Sequence, residues 1–313
     1  MIQYLMDTLL IIDGNAIMHR AFHAIPPFKT SKGQSTNVVY GFLTMLYKVV
    51  TDFHPQHLIV CFDTPKPTFR NRLSKEYQAH RPKIDKEFVT QIPLVREMID
   101  RSGIIRLEKD GYEADDVIGT IARKFGPEHK IIILTGDKDI FQLVNENVVV
   151  ISPKFGFSET ILYDKRAVLK KMGVAPELIP DYKALAGDSS DNYKGAKGIG
   201  PKTAASLLSK FGSVDEVISN SSKIQNERIR GLIVSHKKDI KLAHELATIK
   251  TDIPIDVKYD KTKFIGFNEG LNGFLKDLEM TSLRNRIFGI KKTIPKPISS
   301  QKTTSDANQI KLF

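Results

Sequence analysis

Leu9-Leu10-Ile11-Ile12 runs straight into Asp13-Gly14-Asn15. Four consecutive apolar residues leave no polar face, so the stretch reads as a strand covered on both sides, the setting of a parallel sheet. Two further runs repeat the pattern: Leu58-Ile59-Val60-Cys61-Phe62 ends at Asp63, and Ile131-Ile132-Ile133-Leu134 reaches Asp137 after Thr135-Gly136. The intervals are long enough for the helical crossovers that parallel strands require, and 41–50 and 117–125 are amphipathic candidates for them. The first half therefore reads as an α/β domain with a parallel sheet. In such sheets the functional crevice lies beyond the carboxyl ends of the strands. Asp is an ordinary turn and cap residue. Three of them at equivalent strand ends point instead to one shared site.

The chain has 313 residues, room for a large α/β core plus a smaller attachment. Its 41% hydrophobic and 27% charged content argues against wholesale disorder. No apolar run approaches the ~18 residues of a membrane span, and no signal peptide is read. One cysteine, Cys61, forbids an intrachain disulfide, argues against a Cys-based zinc site and points to a reducing cytoplasm. Lys plus Arg exceeds Asp plus Glu, 47 to 36, for a net charge of +11. A basic surface attracts polyanions, nucleic acid foremost. Beyond about residue 180 the pattern turns helical: 195–205 is a glycine-punctuated turn leading into a helix, and 228–249 has helical periodicity. From 291 to 308 Lys, Pro, Ser and Thr dominate, as in a flexible linker.

Nine acids fall into five clusters: Asp13; Asp63; Glu113, Asp115 and Asp116; Asp137 and Asp139; Asp188 and Asp191. Were they to converge, mutual repulsion would raise their pKa values and destabilise the fold. A hard divalent cation with oxygen ligands offsets that directly. A carboxylate-only set without His or Cys suits Mg²⁺ or Mn²⁺ rather than zinc. Nine acids exceed the need of one magnesium, so two ions clamping a phosphodiester is the better reading. Between the second and third clusters, 66–86 holds seven Lys or Arg against two acids, with Phe69 and Tyr77 among them. Basic side chains neutralise phosphates, and aromatic faces stack on unpaired bases.

Taken in order, Ile12-Asp13-Gly14-Asn15, Phe62-Asp63, Phe69-Arg70, Gly111-Tyr112-Glu113-Ala114-Asp115-Asp116, Thr135-Gly136-Asp137-Lys138-Asp139, Gly187-Asp188-Ser189-Ser190-Asp191-Asn192 and Gly198-Ile199-Gly200-Pro201-Lys202-Thr203-Ala204 resemble the 5′ nuclease (flap endonuclease) superfamily. The nearest likeness is to the bacterial 5′–3′ exonuclease domain found at the N-terminus of DNA polymerase I. The ordered set spans roughly residues 9–290.

The resemblance implies an α/β fold: a PIN-like parallel-sheet nuclease core over 1–180, with a helical arch at about 64–100. It also implies a mostly helical DNA-binding region over 181–290 with a helix-hairpin-helix (H3TH) motif. Carried across by position, Asp13, Asp63, Glu113, Asp115 and Asp116 surround a first metal. Asp137, Asp139, Asp188 and Asp191 surround a second, with Asp115 near both. Mg²⁺ is the expected ion, with Mn²⁺ a substitute. Arg70 and Arg81 match arch positions that orient the scissile phosphate, and Tyr77 matches an aromatic that stacks on a flipped terminal nucleotide. Gln78 departs from the family, which has lysine there; it supplies no charge, so activity is expected to persist at a reduced level. Lys197, Gly198, Ile199, Gly200, Lys202 and Thr203 form the DNA-gripping hairpin, where the family holds K⁺.

The segment 309–313, Gln309-Ile310-Lys311-Leu312-Phe313, resembles the short bacterial sliding-clamp-binding peptide. The composite expectation is a monomeric, cytoplasmic, nucleoid-associated 5′–3′ exodeoxyribonuclease and flap endonuclease of DNA replication and repair. It acts on branched DNA or duplex 5′ ends, including RNA primers. Two rivals stand beside it: a clamp-tethered DNA-junction binder with weak or no catalysis, kept open by Gln78, and an RNA-directed PIN nuclease.

Overall fold

The computed structural model describes residues 7–82, 85–154 and 159–290. One sheet contains β1 (Thr8–Asp13), β2 (His57–Cys61), β3 (Ile105–Leu107), β4 (Lys130–Leu134), β5 (Val148–Pro153) and β6 (Thr160–Tyr163), in the order β3-β2-β1-β4-β5-β6. Neighbouring strands are parallel except β5 and β6, which are antiparallel. The three apolar runs are β1, β2 and β4, the middle of the sheet. The edge strands β3 and β6 are short and only partly buried, so no continuous apolar run marks them. Strand β5 carries Val148-Val149-Val150-Ile151 but no acid at its end.

Along the chain the helices are α1 (Gly14–Ala24), α2 (Asn37–Phe53), α3 (Phe69–Leu73), α4 (Lys86–Arg101) and α5 (Ala114–Phe125), interleaved with the first four strands. After β6 come α6 (Lys165–Met172), α7 (Ile179–Ala186), α8 (Pro201–Phe211), α9 (Val214–Ser219), α10 (Glu227–Ser235), α11 (Lys237–Ala247), α12 (Glu269–Asp277) and α13 (Thr281–Phe288). The segment expected to be helical over 228–249 is thus two helices, broken at His236.

Alternation along each central strand sends side chains to two cores. Leu9, Ile11, Ile59, Ile131 and Ile133 join Val117, Ile118 and Ile121 of α5. Leu10, Ile12, Leu58, Val60 and Ile132 join Phe42, Leu43 and Leu46 of α2. The first core continues without a break into Ile179, Leu185, Leu208, Ile240 and Leu246, so the expected boundary at 180/181 does not divide it. Helices α12 and α13 return to the opposite core through Leu271, Phe274 and Leu283. Helix α4 also packs there, burying Phe88, Val95, Met98 and Ile99. Its residues up to 100 fall in the 64–100 span expected for an arch, and its inner face packs on this core.

The strand order reverses direction at β1, whose neighbours are β2 on one side and β4 on the other. That makes the crevice beyond the ends of β1 and β4 the topological switch point of an open sheet. Asp13 ends β1 and caps α1, its Oδ1 accepting from the Ala16 amide at 2.9 Å. Gly14 is required there: a Cβ would sit 2.4 Å from the Phe62 ring. The close approach of α1 to the end of β2 holds Asp13 and Asp63 on one rim. No described helix is long and apolar enough to cross a membrane.

Candidate active site

Seven of the nine predicted acids face one cavity of ≈ 370 Å³: Asp13, Asp63, Glu113, Asp115, Asp137, Asp139 and Asp191. They arrive from the ends of β1, β2 and β4, the start of α5, and the turn after α7. Asp188 sits just behind, and one ligand oxygen each from Asp139, Asp188 and Asp191 lie within 4.8 Å of one another. Supporting residues absent from the sequence-based set hold the acids in place. The Thr135 hydroxyl donates to Asp13 Oδ2 at 2.7 Å. Asn15 Oδ1 accepts from the Asp63 amide at 3.0 Å, and Asp63 Oδ1 accepts from the Ala114 amide at 2.7 Å. Asp115 has no hydrogen-bond or ion-pair partner among the described residues; its carboxylate opens on the cavity.

Asp116 does not join them. It is fully buried behind α5, and both its oxygens are spoken for. Oδ2 accepts from Arg70 Nη1 at 2.8 Å and from the Glu113 amide at 3.0 Å. Oδ1 accepts from Arg70 Nη2 at 3.0 Å and from the Lys250 amide at 2.9 Å. Arg70 is equally committed. Its remaining donors go to Glu113 Oε2 and to the carbonyls of Leu246 and Thr248, which uses all five N–H groups a guanidinium offers. Asp116 and Arg70 therefore form a structural joint between α5 and the end of α11. In this conformation Asp116 has no lone pair to offer a metal and Arg70 has no donor to offer a phosphate.

The remaining predicted arch residues fold over the cavity. The Tyr77 ring is buried against Tyr193, with centroids 6.4 Å apart. Its hydroxyl lies 3.2 Å from Glu113 Oε2 and 3.3 Å from Asp191 Oδ2. So here Tyr77 is a lid over the acids, not an open face for a base. Gln78 adopts a left-handed φ of 56°, rare for a residue with a Cβ. Its amide N–H donates to the Asp191 carbonyl at 2.9 Å, and its Nε2 to Asp191 Oδ1 at 3.0 Å. Arg81 pairs with the same Oδ1 at 2.7 Å while remaining more than half exposed.

In the predicted hairpin, Lys197, Gly198, Gly200 and Lys202 are exposed and Thr203 half-buried, whereas Ile199 is buried and anchors the turn. Gly198 has φ 98°, a conformation that disfavours any side chain. Gly200 caps α8, with Pro201 in its first turn. The peptide 309–313 lies outside the described residues.

Electrostatics sets the cavity apart. Burial pushes Asp13 up to about 7 despite the bonds from Ala16 and Thr135. Burial also raises Glu113 to about 7, against the pull of Arg70, and lifts Asp63. Asp115 is raised well above the usual carboxylate range, first by burial and then by Asp137, Asp13 and Asp139. Asp139 rises to about 7 through burial and the charge of Asp137. At Asp188 burial opposes ionisation, but Lys183 and Ser190 outweigh it and hold the carboxyl below its ordinary value. A pocket of oxygen donors whose ionisation is this costly fits hard divalent cations, which neutralise it with the ligands they prefer.

The match to known proteins is extensive. The model of the 5′–3′ exonuclease N-terminal resolvase-like domain matches residues 8–173, and that of the 5′–3′ exonuclease C-terminal SAM fold matches 174–269. This chain belongs to the 5′–3′ exonuclease family. It is 42% identical to a 5′–3′ exonuclease of Aquifex aeolicus over 285 residues, covering 90% of this chain and 96% of that protein. It is 38% identical to DNA polymerase I of Bacillus subtilis over 281 residues, 89% of this chain but only 32% of the polymerase. A bacteriophage T5 D15 flap endonuclease, solved with DNA and metal ions, shares the fold at a TM-score of 0.66 with 20% identity, over 89% of this chain and 99% of that one.

Within this exonuclease one charged residue of the site escaped the sequence reading. Lys183, on α7, ion-pairs with Asp139 and lies 2.5 Å from Asp188 Oδ2. Its only sequence signal is a lysine one helical turn before Gly187-Asp188, and that becomes meaningful only once α7 ends at Gly187, φ 75°, and turns the chain back.

Proposed function

We propose that the chain is a divalent-metal-dependent 5′–3′ exonuclease and 5′ flap endonuclease of DNA. The observation that carries this is the single cavity into which five separated segments deliver seven carboxylates. Asp13, Asp63, Glu113 and Asp115 would hold one cation, and Asp139, Asp188 and Asp191, with Asp137 beside them, the other. Asp115 stands between, since its ionisation is opposed by acids of both groups. Mg²⁺ is the natural ion for all-oxygen donors, with Mn²⁺ in its place where geometry allows. Bound there, such cations would lower the pKa of an attacking water and stabilise the leaving oxygen.

The chain's own residues do the rest. Arg81, exposed and hinged on one acid, can exchange Asp191 for a phosphate. Tyr77 and Gln78 cover the acids and must lift for a strand to reach them. Lys66 and His19, also on the cavity wall, add cationic and ring surface near the entry. The exposed hairpin around Gly198, flanked by Lys197 and Lys202, suits the phosphates of a duplex, with K⁺ as the monovalent ion at its carbonyls.

The biological setting we infer is Okazaki-fragment maturation, RNA-primer removal and repair, by a monomer close to the nucleoid. Gln309 and Leu312-Phe313 would tether it to the sliding clamp. A non-catalytic junction binder gains nothing from seven acids beside phosphates. Titrating Mg²⁺ against a labelled DNA 5′ flap, with single-stranded RNA as competitor, tests the assignment. Cation-dependent release of the flap that RNA does not suppress is expected. Tight flap binding without cleavage at any cation concentration would refute it.

A further inference from the structure

The cluster of Asp139, Asp188 and Asp191 already contains a cation. Lys183 leaves α7 with its backbone anchored, its carbonyl accepting from the Gly187 amide at 2.7 Å. Its neighbours Ala184 and Leu185 are buried in the core that α7 shares with α11. The side chain is itself nearly buried, and its ammonium lies between Asp139 Oδ1 and Asp188 Oδ2. Those are two of the three carboxylates whose oxygens converge within 4.8 Å. The third, Asp191, is paired with Arg81. By contrast Asp115 and Asp13 have no ammonium or guanidinium within ion-pair distance among the described residues.

We propose that Lys183 is the built-in counter-ion of the second cation position and makes that position the weaker and later of the two to fill. The inference rests on the two-cation reading above. A divalent ion and an ammonium cannot share the same pair of carboxylate oxygens, because like charges a few ångströms apart repel strongly. Filling the position therefore requires the lysine to swing aside on its flexible four-carbon stem. The site near Asp115 has no such occupant to expel. Without cations, the same lysine keeps Asp139 and Asp188 from facing each other unpaired. One side chain thus stabilises the unloaded protein and sets the threshold for loading it.

Mn²⁺ binding to the full chain without DNA, read by the loss of free-ion electron paramagnetic resonance signal, tests this. Wild type is expected to show a tight and a weak class. Lys183→Met and Lys183→Gln should tighten the weak class by about tenfold or more, leaving the tight class within about twofold. Lys183→Arg, which keeps the charge, should bind like wild type. Melting in chelator is the companion measurement. The neutral variants should melt lower than wild type there and gain more from Mn²⁺. Neutral variants whose weak class is unchanged or weakened, while wild type binds normally, would overturn the inference and leave the two-cation reading standing. Absence of any Mn²⁺ binding by wild type would remove both.

Discussion

Asp115 and Asp116 are adjacent on one helix and have opposite fates. Successive helical residues point about 100° apart, so one carboxylate opens on the cavity and the other is driven into the protein. Behind the helix, Asp116 meets Arg70 in a closed arrangement where every donor and acceptor is used. In front, Asp115 meets only other acids. The lesson is that the same residue type, one position apart, holds the fold together on one side and strains it on the other. The rear region is complete as it stands. The front region is completed only by something from solution.

Breaking the rear joint should have the largest effect. Arg70→Ala leaves the buried Asp116 charge unpaired and strands two backbone carbonyls, so a loss of about 3–5 kcal/mol is expected in urea unfolding. A loss under about 1 kcal/mol would mean that the joint is dispensable. Asp115→Asn should do the reverse. Loss of even an indirect partner of a metal ligand costs 10- to 100-fold, so cleavage of a 5′ flap should fall by at least about 100-fold. Its melting temperature in chelator should hold or rise, because one repelling charge is gone.

The contrast also predicts an unusual pH response. Asp13, Glu113 and Asp139 titrate near 7 in the folded, cation-free protein, well above their unfolded values near 4. The folded state then binds more protons than the unfolded state across that interval, so stability falls as pH rises from about 4 to about 7. Asp63 and Asp115, also raised by burial, push in the same direction. Adding Mg²⁺ should flatten or invert the slope in melts followed across this range; a cation-free stability that climbs toward neutrality would count against the electrostatic picture. The smallest change is expected at the lid. Gln78→Lys places a half-buried charge beside Asp191 and the entering phosphate, and should speed single-turnover flap cleavage about two- to fivefold. An unchanged or slower rate would reject the idea that a charge at this position aids the reaction.

Much of this was legible in the residues. Three apolar runs ending in Asp located the centre of the sheet, because burial on both faces leaves an unmistakable pattern. The acids were identifiable as a set for the same reason: strands of a parallel sheet end on one side. Which acids would be free was not legible. Asp116 is silenced by Arg70, 46 residues away, and only the tertiary fold brings α3 against α5. Arg70 was expected at the phosphate because it matches an arch position of the resembled family, and its partners are far away in sequence. Lys183 was passed over because a lysine in a helix is usually solvated, and its role depends on where Gly187 turns the chain. That α4 would bury an apolar face in the second core was not legible either, since the span was read only through the arch that the resemblance implied.

The central claim is that the front region is a cation site. Diffraction from crystals grown with Mn²⁺ and a 5′ flap DNA, read at the manganese absorption edge, tests it most directly. Two anomalous peaks about 3.5–4 Å apart are expected, ringed by Asp13, Asp63, Glu113, Asp115, Asp139, Asp188 and Asp191, with none beside Asp116. An ion-free cavity in those crystals, or manganese bound only at scattered surface acids, would contradict the account.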